Sequence, residues 1–179
     1  MKKIIVIVIV IAFLSIVLLL KNLYQPDQPA QPAQFNTKNY VAVVNDEGIL
    51  RKDFEKKLAQ TKHFFISWAK QNSANLSSLP NDVLEQMIDM KLISQFCKAR
   101  QISASSQEIE TRYRSSIPKD QSEEEFLAKL NEMYGSNKDD YLAILSEDIL
   151  KEKLQTYTKK GVVDWLKEQR KISIIKKFI

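Results

Sequence analysis

The sequence predicts a mostly helical domain of five to six helices with one small sheet, preceded by a single N-terminal transmembrane helix. Three observations point there. The chain has 179 residues and only three glycines, Gly48, Gly135 and Gly161, while Lys, Glu, Gln and Leu are plentiful. That composition favours helices over a turn-rich β fold. Capping signals recur before apolar-periodic stretches, and β-rich runs stand only near residues 40–51 and at the C-terminus.

The N-terminus reads as a membrane segment. Met1, Lys2 and Lys3 precede an uncharged run, Ile4 to Leu20, which as a helix spans about 25 Å, the short end of a bilayer crossing. A cleaved signal peptide needs small residues before the cut. No Ala-x-Ala follows Leu20, and Ala30 and Ala33 each have Gln two positions earlier. A retained anchor over residues 1–23 is favoured, with secretion after cleavage as the alternative. Lys2 and Lys3 place the N-terminus in the cytoplasm and the rest of the chain outside it, although Lys21 weakens that asymmetry. Residues 24–37 form a linker in which Pro26, Pro29 and Pro32 recur every third position. Such a segment is extended and buries no core.

The remaining residues, 38–179, read as one domain, large enough to bury a core without staples. Tyr40 to Val44, the turn residues Asn45-Asp46-Glu47-Gly48, and Ile49 to Arg51 read as a hairpin. A helix begins near Lys52. Phe54, Leu58, Thr61, Phe65 and Trp68 form one helical stripe, which Phe64 and Ile66 widen. Asn72 to Ser78 is a polar loop, and Pro80 suits the first turn of the next helix. Apolar residues from Val83 to Cys97 cover most of that helix, which makes it central. Ser105 with Glu108 and Ser122 with Glu125 are capping boxes for a third and a fourth helix. The fourth ends at Gly135. Ser136 precedes a fifth, predicted to run to Lys160 and stop at Gly161. Val162 to Lys171 is a short helix with Val163 and Leu166 inward and Trp165 beside them. Ile172 to Ile179 is a strand, which needs a partner for its backbone. The only other strands lie near residues 40–51, so the two ends of the domain are expected to share one sheet.

Several functions are disfavoured. The net charge is +5, both signs are interspersed, and no dense basic block interleaved with aromatics suggests nucleic acid. The C-terminal Lys159, Lys160, Lys167, Arg170, Lys171, Lys176 and Lys177 read as a charged helix face and edge strand, with attraction to anionic lipid as the alternative. Cys97 and His63 are the single cysteine and histidine. No disulfide, Cys-rich metal site or histidine pair is available. Cys97 reads as a small core residue and His63 as structural. Glu123, Glu124 and Glu125 fit a helix N-terminus rather than catalysis. No catalytic site, metal or cofactor is expected, and no glycine loop would cradle ATP.

Three segments resemble a known family. YVAVVNDEGILRKDFEKKL, LPNDVLEQMIDMKLISQFCKARQISASSQEIE and EEEFLAKLNEMYGSNKDDYLAILSEDILKEKL are similar in order and spacing to the N-terminal chaperone domain of SurA- and PrsA-type extracytoplasmic folding factors. The closing WLKEQRKISIIKKFI is similar to that family's last helix and strand. The resemblance covers residues 38–179. It departs at Asp46-Glu47, where glycine is common, and at Arg51, where Ser or Thr is the usual cap.

Relatives often insert a parvulin-type prolyl isomerase between the long helix and the closing one; here Lys159-Lys160-Gly161 joins them directly. The resemblance therefore implies binding without isomerase activity. The expected partners are unfolded or unassembled exported polypeptides, with membrane contact through residues 4–20. A module dedicated to one envelope complex is the alternative. Large or adaptable apolar side chains suit such binding. The candidates are Phe64, Phe65, Trp68, Met87, Met90, Met133, Tyr134 and Tyr141, each of which also suits a core.

Overall fold

A computed structural model of the chain describes residues 35–68 and 76–179, with the side chain of Trp68 outside that description. The apolar run 4–20, the linker up to residue 34 and most of the loop after the first helix also lie outside the described residues. Among the described residues, no helix is long and apolar enough to cross a membrane. Phe35–Ile179 forms one compact unit.

Strand β1 (Tyr40–Val44) turns back at Asn45-Asp46 into β2 (Glu47–Leu50). Asn45 adopts a left-handed conformation with φ +53, which asparagine tolerates. The pairing is antiparallel, with Val44 opposite Glu47 and Val43 opposite Gly48. The turn is therefore shorter than expected: Glu47 and Gly48 belong to the strand. Gly48 is needed there by close approach, because a Cβ at this position would lie 2.3 Å from the Tyr40 ring.

Six helices follow. They are α1 (Arg51–Trp68), α2 (Leu79–Ala99), α3 (Ser106–Ser116), α4 (Glu123–Tyr134), α5 (Lys138–Thr158) and α6 (Val162–Ile172). Strand β3 (Ile175–Lys177) then pairs antiparallel with β1, giving the order β2-β1-β3. The two ends of the domain do share one sheet. With neighbours on both sides, β1 buries Val41, Ala42, Val43 and Val44 together, as an interior strand covered on both faces does.

Helix α2 is the axis. Leu79, Val83, Leu84, Ile88, Leu92, Ile93 and Cys97 are all buried and meet the sheet, α1, α5 and α6. The capping boxes at Ser105/Glu108 and Ser122/Glu125 are formed. A third, Asn137/Asp140, opens α5 in place of Ser136, since asparagine accepts the same backbone hydrogen bond as serine. Gly135 ends α4 at φ +60. The end of α5 differs from expectation: Lys159 takes the left-handed position, and Gly161 instead caps the start of α6. On α6 the inward residue is Trp165, while Val163 faces solvent. Val162, Trp165, Leu166 and Gln169 share one helical face, and Val163 falls off it. Ile172 ends the helix rather than opening the strand.

Ion pairs fasten the C-terminal elements to α2. Arg170 donates from Nε to Asp89 at 2.6 Å and from Nη1 to Glu85 at 2.7 Å, and Lys177 also reaches Glu85. Burial pushes the Glu85 carboxyl up, but the hydrogen bonds from Lys177 and Arg170 outweigh it and hold the group below the ordinary glutamate value. Arg170→Met should leave two half-buried carboxylates short of a partner and cost about 1–3 kcal/mol, measured by urea unfolding.

A second tie joins α3 to α5. Lys153 donates to Glu108, and with the Ser105 amide and hydroxyl it holds the Glu108 carboxyl down to about 2. This folded-state value lies below the unfolded one. Its stabilisation is therefore present above the ordinary glutamate range and is lost as pH falls toward 2. In an NMR titration, Lys153→Met should move the Glu108 midpoint back up toward an ordinary glutamate.

Candidate functional site

The residues that could bind a partner sit where the helices leave a concavity. Helix α2 packs against α1 and α5, and it also supports β2 and α6. Between these elements runs an open groove of about 900 Å³. Its floor is apolar: Ile49, Met87, Met90, Ile93, Ile144, Leu150, Val162 and Leu166. Its rim carries both signs of charge, from Asp53, Lys56, Lys57, Asp89, Lys91, Asp140, Glu147, Asp148 and Lys151. Part of that rim is internally paired. Asp140 binds Lys56 and accepts from Gln60 at 2.9 Å, and Lys151 meets Asp148 at 2.9 Å. Burial raises the Asp140 carboxyl, but Lys56 and the Asn137 amide more than offset this and leave it below the ordinary aspartate value.

Of the predicted residues, the structure brings only Met87 and Met90 into this groove. Both are half-buried and pack on the core. Phe65 packs on the same core along α1 without lining the groove. Phe64 and Tyr134 stack on each other across the α1–α4 seam, with ring centroids 4.9 Å apart and planes 6° apart. Met133 is exposed nearby. Tyr141 belongs to an aromatic cluster with Tyr113 and Phe126, at 6.2 and 5.5 Å. The Trp68 side chain lies outside the described residues. Ile66, expected to widen the α1 stripe, points to solvent.

The groove-floor residues missed in the sequence are Ile49, Ile93, Ile144, Leu150, Val162 and Leu166. On α5 the signal was a second row, Asp140, Ala143, Ile144, Glu147 and Lys151, at helical spacing. It is too polar to stand out beside the stripe of Leu145, Ile149 and Leu154.

Nothing in the groove pairs a nucleophile with a base. Among the described residues, no three His, Cys, Asp or Glu side chains are placed to hold a metal. His63 is exposed on α1, and its Nε2 lies 2.7 Å from the Glu132 carbonyl, where it ties α1 to α4. A smaller hollow of about 460 Å³ between α3 and α5 is lined by Ser105, Glu108, Arg112, Glu152 and Lys153. Its side chains are occupied in ion pairs, with Arg112 bidentate to Glu152 at 2.8 and 2.7 Å.

Comparison with known families fits this architecture. The family model described as the SurA-like N-terminal domain matches residues 1–140. The chain belongs to that family. The match reaches back into the N-terminal segment and ends at the start of α5. In this chain β3 completes the sheet, and α5 and α6 complete the groove. No curated protein matches the chain. Membership supports a chaperone-type or protein-interaction role, with polypeptides as the general class of partner. The SurA-like domain is a chaperone-type module rather than a catalytic one.

Cys97 bears on the same distinction. It is buried on α2 against α5, and burial pushes its thiol up from the ordinary cysteine value. A reactive cysteine is an exposed thiolate. In the folded protein a thiol reagent should therefore label Cys97 only as fast as the core opens. Labelling at the rate of a free thiol in native buffer would contradict this.

Proposed function

We propose that this SurA-like chain is a membrane-anchored, ATP-independent holdase that shields unfolded exported polypeptides outside the cytoplasm and has no isomerase activity. The groove carries the reading. An apolar floor takes up side chains of an extended segment, and the flexible thioethers of Met87 and Met90 adapt to different shapes. Its volume matches that of pockets that enclose a small ligand, so it suits a short stretch of chain rather than a folded domain. The mixed-charge rim has no strong bias of sign, which suits clients of varied sequence. Lys159, Lys160 and Gly161 connect α5 directly to α6, leaving no inserted domain between these helices. The apolar run 4–20 supplies the anchor in this reading, and the proline-rich linker gives the domain reach at about 3 Å per residue.

The competing proposal is a module dedicated to one envelope complex. The two part on promiscuity. Phe35–Ile179 is mixed with two unrelated, chemically unfolded proteins on dilution, and light scattering is followed. A general holdase lowers scattering of both at near-stoichiometric amounts. Ala143→Arg places a long side chain on the exposed wall of the groove and should change stability by no more than about 0.5 kcal/mol. The same variant should lose most of the protection. Protection of neither protein by the folded domain would replace the holdase reading with the dedicated one.

A further inference from the structure

The C-terminal tail has two properties that no packing requirement explains. The first is charge. Residues 159–179 contain seven Lys and Arg against Asp164 and Glu168, a balance of +5 that equals the net charge of the whole chain. Some of this charge is spent internally: Arg170 and Lys177 turn to Glu85 and Asp89, and Lys160 pairs with Glu168. Lys159, Lys167, Lys171 and Lys176 are exposed and meet no acidic partner among the described residues.

The second property is apolar exposure on the same segment. Val163 is 79% exposed, Ile172 77%, Ile174 64% and Ile179 57%. Three of these are isoleucines within nine consecutive residues, interleaved with Lys171 and Lys176. Ile174 and Lys176 lie on the same side of the extended backbone. Aliphatic tips among lysines whose stems can lie along an apolar layer, heads toward water, match a lipid interface. An acidic protein surface would answer the lysines but not the isoleucines.

We propose that the α6–β3 tail rests on the surface of an anionic bilayer, with Ile172, Ile174 and Ile179 in the interface and Lys167, Lys171 and Lys176 on lipid headgroups. This contact is separate from any anchor at residues 4–20 and does not rest on the chaperone reading. It would orient the domain by holding one defined end at the membrane.

The test places a polarity-sensitive fluorophore on the full-length protein through Ile174→Cys, with buried Cys97 protected from labelling. The protein is reconstituted in phosphatidylcholine vesicles with and without phosphatidylglycerol. With the anionic lipid, the emission should move to the blue and be quenched by brominated acyl chains. The same label at Met133→Cys on α4 should stay water-like. Lys171→Glu with Lys176→Glu, both exposed positions, should weaken the signal by about tenfold or more, as should high salt. Because the reporter sits on the tail, insertion of residues 4–20 cannot mimic the result. A label at position 174 that stays water-like on anionic vesicles overturns the proposal. An equal blue shift on neutral vesicles also overturns it, and so does a concentration-dependent shift without lipid, which would assign the face to a second copy of the chain.

Discussion

The backbone of β1 has to be hydrogen-bonded along both edges, because Val41 to Val44 are buried and water does not reach their N–H and C=O groups. The hairpin satisfies one edge locally. The other has to be satisfied by the far end of the domain, since no other extended segment is available among the described residues. Asn45 shows how tightly this is set. Its amide donates to the Ile174 carbonyl at 2.7 Å, its Oδ1 accepts from Ile174 N at 3.1 Å, and its Nδ2 donates to Gln95 at 2.8 Å. Gln95 in turn donates to the Val44 carbonyl at 2.9 Å. One turn residue thus fixes the hairpin tip to α2 and to Ile174, just before β3 and 129 residues away in sequence. Closing such a loop costs conformational entropy that contacts made late in folding must offset.

The rest of the architecture follows from that closure. With β1 and β3 paired, α6 is drawn against α2, and Trp165 fills the space beside Phe96 at 4.9 Å between ring centroids. Arg170 and Lys177 bring opposite charge to Glu85 and Asp89, which α2 would otherwise expose. A half-buried charge is tolerable only when paired. The α3–α4 arm is different in kind. Helix α4 has no fully buried residue and is held by the Phe64–Tyr134 stack, the His63 contact and a cap at Gly135. Few buried apolar contacts make such an element the easiest part to open.

Much of the fold was legible because local chemistry and global packing agree. The boxes Ser105/Glu108 and Ser122/Glu125, the central apolar helix and the strand that had to find a partner could all be read from spacing alone. The errors share one cause. Ser136 for Asn137, Gly161 for Lys159 as the helix stop, and Val163 as an inward residue each depended on helix phase within one or two positions. Phase is set by tertiary contact rather than by residue type. The candidate site was less legible. Met87 and Met90 carry a visible signal, but the groove is built from β2, α1, α2, α5 and α6. Its other lining residues, such as Ile144 and Leu150, look like ordinary helix positions until the partners are known. The aromatics chosen for their size, Phe64, Tyr134 and Tyr141, found one another instead.

That outcome bears on how such a domain keeps a binding surface open. Aromatic rings pair with one another at a gain beyond their burial, so aromatics free to meet pack on one another, as Tyr113, Phe126 and Tyr141 did. Methionine and branched aliphatics lack that preference for one another. A floor of Met, Ile and Leu can remain in a groove provided the walls cannot collapse onto it. Here α2 packs against both α1 and α5, while Lys56 and Gln60 of α1 brace Asp140 of α5 at the groove's edge. The α6 wall is held through β3 and Arg170. The groove therefore shares its supports with the sheet: the α6 wall that carries Val162 and Leu166 is held by Trp165 and Arg170 on α2 and by β3 on β1. In a SurA-like domain whose α5 connects directly to α6, the closing helix both leads into the strand that completes the sheet and forms a wall of the candidate site.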